Sequence, residues 1–447
     1  MNKKIEITCP ANNEAERKYI VDVLFRRFLG VDYALNFSEA AQAYSIVYGE
    51  KNLLIEDHFF NLYPDALSYY SPEAIPASLT WLKTEYMSES LPVIYGRNRF
   101  VCSSDVVECG LDIFASSFFM LTRWEEYVLG RSEKGKCDEG RLFCVKNGIY
   151  MRPVVNEYVE LLAVLLGRIG VEVRTARQFS MKITHDVDRC YLTGWKELAG
   201  NVRSMLSKGQ KAKAKALLKD FCWYKLFMPH PFQTFNMFMD LSEAHGFKDE
   251  FYFKACVAGE RGYTYSCSEP TVAASIKEIL SRGHVVGFHP SENTFRDGRQ
   301  FGVELERLSR ICSQPVRCGR NHGLYVNTDT LEDWAVNGCK SVSNWGFQQR
   351  MGFRCGVCYP FPLFDNQKRK TLAVMEYPFI LMDTVLLRTM PEQDCAFKEM
   401  ASLIDRVKHY EGTVCINWHT NVYNMPKMRK YRVLYKNLLA YVGSKME

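Results

Sequence analysis

Two aspartates stand two positions apart, directly after a short apolar run, in the segment "MKITHDVDRC" at residues 181–190. Alternate residues of an extended strand share one face, so Asp186 and Asp188 can both reach the same site. Carboxylates in this arrangement either accept backbone hydrogen bonds in a turn or hold a metal and move protons. The placement of other candidate ligands along the chain favours the second interpretation.

Histidines recur at comparable positions, after short apolar runs that are typical of strands. The chain has nine histidines, and four of them, His185, His289, His322 and His419, lie at the ends of such runs. An aspartate and two histidines are suitable ligands for zinc or a similar divalent ion, with one position left open for water. Such an ion activates water near neutral pH, while a second carboxylate takes the water's proton and a histidine protonates the leaving group.

The elements that must position these residues are seven short apolar or β-branched runs separated by helical stretches. These runs are residues 179–184, 249–255, 284–288, 314–319, 339–343, 371–377 and 412–418. Their alternation with helices predicts a parallel sheet, and over this length a barrel of βα units. Chemistry in such barrels lies at the carboxyl ends of the strands, where the candidate ligands stand.

The chain before this region has a different pattern and predicts a smaller α/β domain over residues 1–178, ahead of a barrel over 179–447. A strand at 4–9, a helix at about 13–29 and a strand at 43–49 open it. Helices at about 112–129 and 153–170 carry buried apolar stripes. No catalytic constellation is evident in this first part.

Length and composition are those of a globular protein of two or three domains, with 447 residues, 47% of them hydrophobic and 24% charged. Up to residue 178 there are 20 Lys and Arg against 24 Asp and Glu, and afterwards 37 against 27. The basic second part favours an anionic ligand, or carries a solvated basic surface. No signal-peptide core and no run of roughly 18 apolar residues is evident, which predicts a cytoplasmic location and no transmembrane segment.

The sixteen cysteines are spread along the whole chain and do not form a tight framework. Without an export signal, most are predicted to be reduced, buried small hydrophobic residues. The single CxxC pair, Cys355 and Cys358, has no second pair with which to form a zinc site. We therefore expect this pair to be structural.

The motifs "THDVD", "GFHPS", "RNH" and "INWHTN", in this order and spacing, resemble the polysaccharide deacetylase family (NodB homology, carbohydrate esterase family 4). Within that family, the chain most resembles a bacterial subgroup that has an N-terminal domain of unknown function ahead of the barrel. "DIFASSFFMLTRWEEYV", "DEGRLF" and "RPVVNEYV" resemble that domain, and "GFRCGVCYPFPLFD" and "EYPFILMD" the subgroup's barrel. The resemblance covers nearly the whole chain. It implies a distorted seven-stranded (β/α) barrel and metal-dependent removal of an acetyl group from an N-acetylated sugar.

The resemblance also implies roles for individual residues. Asp186 matches the family's catalytic base, and Asp188 matches its metal-binding aspartate. His289 matches the first histidine of the second motif, which is a metal ligand. Arg320 matches the arginine that orients the base, and His419 matches the general acid that protonates the departing amine.

Two positions depart from the family pattern. Asn293 stands where the second motif has another histidine, so the third ligand is Asn293, His322, water or nothing. We favour His322, because it stands at a strand end and imidazole is the better ligand. The aspartate of the fourth motif aligns around Val342, so a supporting carboxylate is expected to be missing there.

Several other side chains have two interpretations. Trp345 and Trp418 could line a sugar pocket with their flat apolar faces, or pack in the core. His284 precedes its strand, and His185 points to the opposite face from Asp186, so both are expected to be packing residues. Residues 203–220 contain six Lys and Arg against one Asp. This stretch could attract an anionic glycan, a lipid-linked sugar phosphate or an anionic membrane surface, or be a solvated helix.

The function predicted from these observations is that of a metal-dependent deacetylase acting on an amino sugar in a polysaccharide, an oligosaccharide or a precursor. The predicted cofactor is a divalent metal, with zinc first, and the predicted partner is a carbohydrate, which the basic charge allows to be anionic. No nucleic-acid motif accompanies the basic residues. The alternatives are a carbohydrate-binding protein that has lost catalysis, in keeping with the two departures, and a hydrolase of a non-sugar amide.

Overall fold

A computed structural model describes residues 4–446, apart from 103–105, 131–134, 174, 192–193, 228–231, 233, 390–391, 425–427 and 429–430. The described strands are β1 (Ile5–Pro10), β2 (Tyr33–Ser38), β3 (Ala43–Tyr48), β4 (Lys51–Glu56), β5 (Thr80–Leu82), β6 (Leu91–Val93), β7 (Gly96–Cys102), β8 (Val106–Leu111), β9 (Ser180–Val187), β10 (Asp249–Phe253), β11 (Val285–Phe288), β12 (Cys318–Gly319), β13 (Ser341–Val342), β14 (Phe361–Asp365), β15 (Lys370–Glu376), β16 (Leu381–Met382) and β17 (Thr413–Asn417).

The described α-helices are α1 (Glu14–Val21), α2 (Phe59–Leu62), α3 (Ile113–Thr122), α4 (Trp124–Val128), α5 (Phe143–Lys146), α6 (Val154–Arg168), α7 (Trp195–Ser207), α8 (Lys211–Phe227), α9 (Phe235–Glu243), α10 (Pro270–Ser281), α11 (Gly298–Cys312), α12 (Thr328–Val336), α13 (Asp383–Thr389), α14 (Gln393–His409), α15 (Thr420–Tyr423) and α16 (Arg432–Ser444). A π-helical segment, Asp22–Leu29, extends α1.

The second part of the chain forms a nine-stranded sheet with the order β14-β15-β13-β12-β11-β10-β9-β17-β16. All neighbours are parallel except β14 and β15, which form an antiparallel pair at one edge. Each of the seven predicted runs supplies a strand to this sheet. Parallel strands flanked by helices bury both faces, in keeping with the mostly buried residues of β10 and β11 and of the carboxyl end of β9. In β15, next to the edge strand β14, exposed and buried residues alternate.

The exact seven-stranded barrel is not what the hydrogen-bonded ladder shows. Two further strands, β14 and β16, take part, and they form the two ends of the sheet. Within the described residues β14 and β16 do not pair with each other, so the ladder is open. The two extra strands are short or lie beside prolines, and their sequences lack the pattern of a long buried run.

The first part of the chain forms a six-stranded mixed sheet with the order β2-β1-β3-β4-β8-β7. The predicted strands at 4–9 and 43–49 are β1 and β3, and the predicted helix at 153–170 is α6. The predicted helix at 112–129 is broken into α3 and α4 at Arg123, which adopts a left-handed conformation with φ of 53°. The remaining strands of this sheet had no counterpart in the prediction.

The two parts of the chain pack against each other through buried polar contacts and a shared apolar core. Arg354 donates two hydrogen bonds to Glu126, at 2.9 and 2.8 Å. Tyr19 on α1 donates to the carbonyl oxygen of Pro362 on β14, at 2.9 Å. Cys355 and Cys358 lie buried in this region as free thiols, in keeping with a structural role.

No helix in the described part of the chain combines the length and the apolar character that crossing a bilayer requires. The cytoplasmic location stays a prediction.

Candidate metal and proton-transfer site

The candidate ligands come together because their strands are neighbours and run in the same direction. Asp186 and Asp188 lie at the carboxyl end of β9, and His289 follows β11 directly. His322 follows β12 in a short 3-10 turn, and His419 follows β17. The carboxyl ends of parallel strands meet at one edge of the sheet, so residues far apart in sequence share one site.

Asp188, His289 and His322 form a cluster whose candidate ligand atoms all lie within 4.8 Å of one another. Oδ1 of Asp188 lies 3.5 Å from Nε2 of His289 and 3.5 Å from Nε2 of His322. This oxygen is buried and has no hydrogen-bond partner among the described residues. Two imidazoles and a carboxylate gathered around an unsatisfied oxygen fit a divalent metal, and zinc binds to such a set.

The surroundings of both imidazoles suit metal ligation. Nδ1 of His289 lies 2.6 Å from the carbonyl oxygen of Arg320, which makes Nδ1 the protonated nitrogen and leaves the Nε2 lone pair towards the cluster. Burial, and then the neighbouring His289, lower the pKa of His322 to about 3. Burial alone would raise the pKa of Asp188, but His289 and Lys254 hold it well below its usual range.

Asn293, the alternative third ligand, makes its contacts elsewhere. Its side-chain nitrogen donates a hydrogen bond to the carbonyl oxygen of Arg261 at 3.1 Å. Its backbone N–H donates to Oγ of Ser291 at 3.2 Å, within a short 3-10 turn. The geometry therefore favours His322 over Asn293 as the third ligand, because the imidazole of His322 lies in the cluster and the side chain of Asn293 bonds elsewhere.

Asp186 is held in one orientation by two donors. Its Oδ1 accepts a hydrogen bond from Nη1 of Arg320 at 2.9 Å, and its Oδ2 accepts one from Asn417 at 2.9 Å. Arg320 is itself fully buried and is fixed by further donation to Thr184 and Ser343. Burial alone would raise the pKa of Asp186, but Arg320 and the nearby histidines lower it to about 2. Asp186 is therefore a carboxylate at any ordinary pH.

His419 pairs with Asp383, and this corrects the expectation of a missing carboxylate around Val342. Nδ1 of His419 lies 2.7 Å from Asp383, whose other oxygen accepts the backbone N–H of His419 at 2.9 Å. Val342 is buried in β13, and the carboxylate comes from Asp383, directly after β16. The signal in the sequence was the aspartate that ends the apolar run "FILMD" at 379–383.

The carboxylates around His419 set its charge. Burial alone would lower the pKa of His419, but Asp383, Asp186 and Asp188 raise it to about 9. Its Nε2 lies 3.7 Å from Oδ2 of Asp186 and 3.9 Å from Oδ2 of Asp188. An imidazolium therefore faces the two aspartates from across the site.

Lys254 is a second site residue that the sequence reasoning missed. It follows β10, the strand between β9 and β11, and its Nζ lies 3.4 Å from Oδ1 of Asp188. Its side chain is buried, so this ammonium is held at the cluster. The prediction had included Lys254 within a strand run, whereas β10 ends one residue earlier and makes Lys254 a strand-end residue.

The two tryptophans are largely buried, and their predicted role in a sugar pocket stays a prediction. Trp418 has no exposed surface, and its ring lies 4.9 Å from that of Tyr435. Trp345 is also buried, and its backbone N–H donates to Glu376 at 2.8 Å. Trp418 therefore packs in the core, whereas Trp345 keeps a small exposed fraction and borders a small cleft together with Lys136 and Gln348.

His185 and His284, which were predicted to be packing residues, make packing contacts. The ring of His185 lies between Phe238 and Phe251, at 4.3 and 4.7 Å between ring centres. Nδ1 of His284 accepts the backbone N–H of Asp249 at 2.8 Å. Neither belongs to the metal cluster.

A cavity of about 620 Å³ lies elsewhere, between α6 and α14. Its lining includes Arg152 and Glu157, which already pair with each other at 2.9 Å. None of the strand-end residues lines it. The chemistry of the strand ends, and not the size of this cavity, identifies the candidate site.

Comparison with known proteins gives a family match for the first part of the chain. A model for DUF7033, described as a family of unknown function, matches residues 5–170. This is less than half of the chain, and the predicted domain boundary at residue 178 stays a prediction. No curated protein sequence matches the chain.

Solved structures with similarity to the chain are remote in sequence. A candidate polysaccharide deacetylase from Mycobacterium smegmatis has 11% identity and a TM-score of 0.39, over 61% of this chain and 87% of that one. A candidate polysaccharide deacetylase involved in O-antigen biosynthesis, from Bordetella bronchiseptica, has 14% sequence identity and a TM-score of 0.30, over 59% of this chain and 84% of that one. An allantoinase has 10% sequence identity and a TM-score of 0.37, over 60% of this chain and 85% of that one. Identities and TM-scores this low do not assign a function to the chain.

Proposed function

We propose that the protein is a metal-dependent amide hydrolase that removes the acetyl group from an N-acetylated amino sugar. One observation carries the proposal: the Asp188, His289 and His322 cluster lies beside a fixed carboxylate, Asp186, and an imidazolium, His419. These are the parts that hydrolysis of an unactivated amide needs. The motif resemblance supports a sugar as the substrate, which is proposed to lie in a polysaccharide, an oligosaccharide or a precursor.

Asp188, His289 and His322 would hold the metal, and zinc is the ion we propose. A divalent ion there would polarise the acetyl carbonyl and lower the pKa of water in the site. The three side chains leave a coordination position open, as catalytic zinc sites do. The hydrogen bond from His289 to the Arg320 carbonyl oxygen orients one ligand.

Asp186 is the proposed base, which takes a proton from the attacking water. Arg320 and Asn417 each occupy one of its oxygens and hold the carboxylate in place. A carboxylate with a pKa of about 2 is a weak base, but it is ionised at neutral pH and can accept a proton from water. Fixed orientation, more than basicity, is therefore the contribution of this residue.

His419 is the proposed acid. When the carbon–nitrogen bond of the amide breaks, its Nε2 proton goes to the departing amine nitrogen. A pKa of about 9 keeps His419 protonated at neutral pH, and Asp383 at 2.7 Å fixes the ring. A matching pair of groups, one ionised and one protonated at pH 7, is the arrangement that acid–base catalysis needs.

The test is acetate release from N-acetylated amino sugars by the purified chain, with and without a chelator. We expect release that stops on chelation and returns with zinc. His322→Ala should abolish metal binding and release, whereas Asn293→Ala, its matched control, should retain both. No acetate with any divalent metal, together with no bound metal, would overturn the proposal.

A carbohydrate-binding protein without catalysis is the second candidate, and Lys254 favours it. An ammonium 3.4 Å from Oδ1 of Asp188 can neutralise that carboxylate without a metal. Metal analysis of the purified protein separates the two: stoichiometric zinc favours the hydrolase, and saccharide binding without any metal favours the binding protein. Release from non-sugar amides alone, in a panel of both kinds, would keep the chemistry and change the substrate class.

A further inference from the structure

A helical hairpin of unusual composition follows the first strand of the site. It consists of α7 and α8, which pack against each other after β9. The ring of Trp195, at the start of α7, lies 4.5 Å from that of Phe221 on α8. Leu198, Ala214 and Phe221 are buried, and most other described side chains of the hairpin are exposed.

One side of α8 alternates positive charge with exposed apolar residues. Lys211, Lys215 and Lys219 follow each other at intervals of four and therefore form one stripe along the helix. Leu218 stands three residues after Lys215, and Leu226 stands seven after Lys219, so both lie on the same stripe, and Leu226 is 75% exposed. Leucines on a solvated charged stripe lose favourable burial, so this surface is suited to a partner that accepts both lysines and leucines.

The groove between the two helices adds a second apolar surface. It has a volume of about 380 Å³ and is lined mainly by apolar side chains, among them Leu206 and Leu218. Trp195 borders it and is 64% exposed, and Leu206 is 49% exposed. A tryptophan with lysines nearby is typical of helices that lie in the headgroup region of a bilayer.

We propose that this hairpin docks on the surface of a bilayer that contains anionic lipids. The lysines complement the negative headgroups, and the leucines and Trp195 enter the boundary of the acyl chains. A second copy of the chain is a poor fit, because two such stripes would bring lysine against lysine. A soluble polyanion would pair with the lysines and leave the leucines in water. The proposal is independent of catalysis by the strand-end site.

The experiment is co-sedimentation of the full chain with vesicles that contain about 30 mol% anionic phospholipid, and with vesicles of neutral phospholipid alone. One variant combines Lys211→Glu, Lys215→Glu and Lys219→Glu, and a second combines Leu206→Ser and Leu226→Ser. The matched control reverses three exposed basic residues elsewhere, by Lys277→Glu, Arg299→Glu and Lys340→Glu. Circular dichroism confirms that each variant retains its helices.

We expect binding to the anionic vesicles only, weakened by salt and lowered about a hundredfold or more by the lysine reversals. The serine variant should bind the vesicles at least about tenfold more weakly than the unchanged chain. The control variant should bind them with the same affinity as the unchanged chain. Absent vesicle binding at low salt would overturn the proposal. Equal loss in the control variant would also overturn it, as would binding to a soluble polyanion in place of vesicles.

Discussion

Two of the buried groups of charged side chains in the described part of the protein differ in how far their charges are paired. The first lies between the two parts of the chain. There Glu126 accepts from Arg123 at 2.9 Å and from Arg354 at 2.9 and 2.8 Å, while Glu125 accepts from Arg123 at 2.7 Å. Two guanidinium groups meet two carboxylates, and all four side chains are buried.

The second group is the strand-end site, where a buried carboxylate oxygen lacks a hydrogen-bond partner among the described residues. Oδ1 of Asp188 is buried with two imidazole nitrogens at 3.5 Å and an ammonium at 3.4 Å, and it makes no hydrogen bond with any described residue. Burial of such a group lowers stability unless something binds to it. The first cluster joins the two parts of the chain by direct hydrogen bonds. The strand-end site instead leaves Oδ1 of Asp188 without a hydrogen bond among the described residues, a pattern that is more common at functional sites than in structural clusters.

The largest effect on this comparison is expected from Asp188→Asn. Removing one ligand charge should abolish stoichiometric metal binding and lower acetate release by about three to four orders of magnitude. The free energy of unfolding of the metal-free protein should fall by less than in the Arg354 variant below, because Oδ1 makes no hydrogen bond to lose. Metal content, acetate release and denaturant unfolding check this, and retained stoichiometric metal would contradict it.

Arg354→Met is the converse change in the paired cluster. Removing one partner of a buried pair should lower the free energy of unfolding by about 3–5 kcal/mol, while metal content and activity per folded molecule stay the same. Arg310→Met is the matched control, because Arg310 pairs with Glu306 in solvent and should change stability by less than about 0.5 kcal/mol. Urea unfolding measures both, and equal effects would show that burial of the pair makes no difference.

A pH profile tests the pair of His419 and Asp383. His419 must be protonated to act as an acid, so activity should fall as pH rises through its pKa of about 9. In Asp383→Asn that pKa should fall, so the alkaline limb moves to lower pH and activity at pH 8 drops by about a hundredfold. The limb is measured by acetate release between pH 6 and 10, and an unmoved limb would assign it to another group.

The same pair makes a prediction for stability. A folded-state pKa raised from 6.5 to about 9 stabilises the protein fully below pH 6.5, and this stabilisation is lost as pH rises through 9. In Asp383→Asn the free energy of unfolding should vary less over that range. Urea unfolding at several pH values gives the two slopes, and identical slopes would contradict the prediction.

The smallest effect is expected from Lys254→Met. The ammonium competes with a metal for Oδ1 of Asp188 and repels a cation beside it, so its removal should lower the Kd for zinc by about tenfold. Lys340→Met, at an exposed lysine, should leave the Kd unchanged. Titration against a chelating dye measures both, and weaker zinc binding in Lys254→Met would make the lysine a supporting residue of the site.

The local sequence pattern was sufficient to predict seven strands of the second part of the chain and the polar residues at their ends. The seven runs are strands because each is short, apolar and bounded by breaks, and such local pattern is independent of the rest of the fold. Asp186, Asp188, His289, His322, Arg320 and His419 could be singled out for the same reason. They follow strands, and parallel strands end at one edge.

The contacts among these side chains, and the carboxylate that supports His419, follow from the tertiary fold. Two helices, α13 and α14, and the strand β17 separate Asp383 from His419 in sequence, and the pairing of β16 with β17 brings Oδ1 of Asp383 to 2.7 Å from Nδ1 of His419. Trp418 has no exposed surface, and a ring's exposure depends on residues distant in sequence. Local pattern determines the ends of strands, whereas the order of strands in the sheet, which no local pattern encodes, determines the distances between those ends.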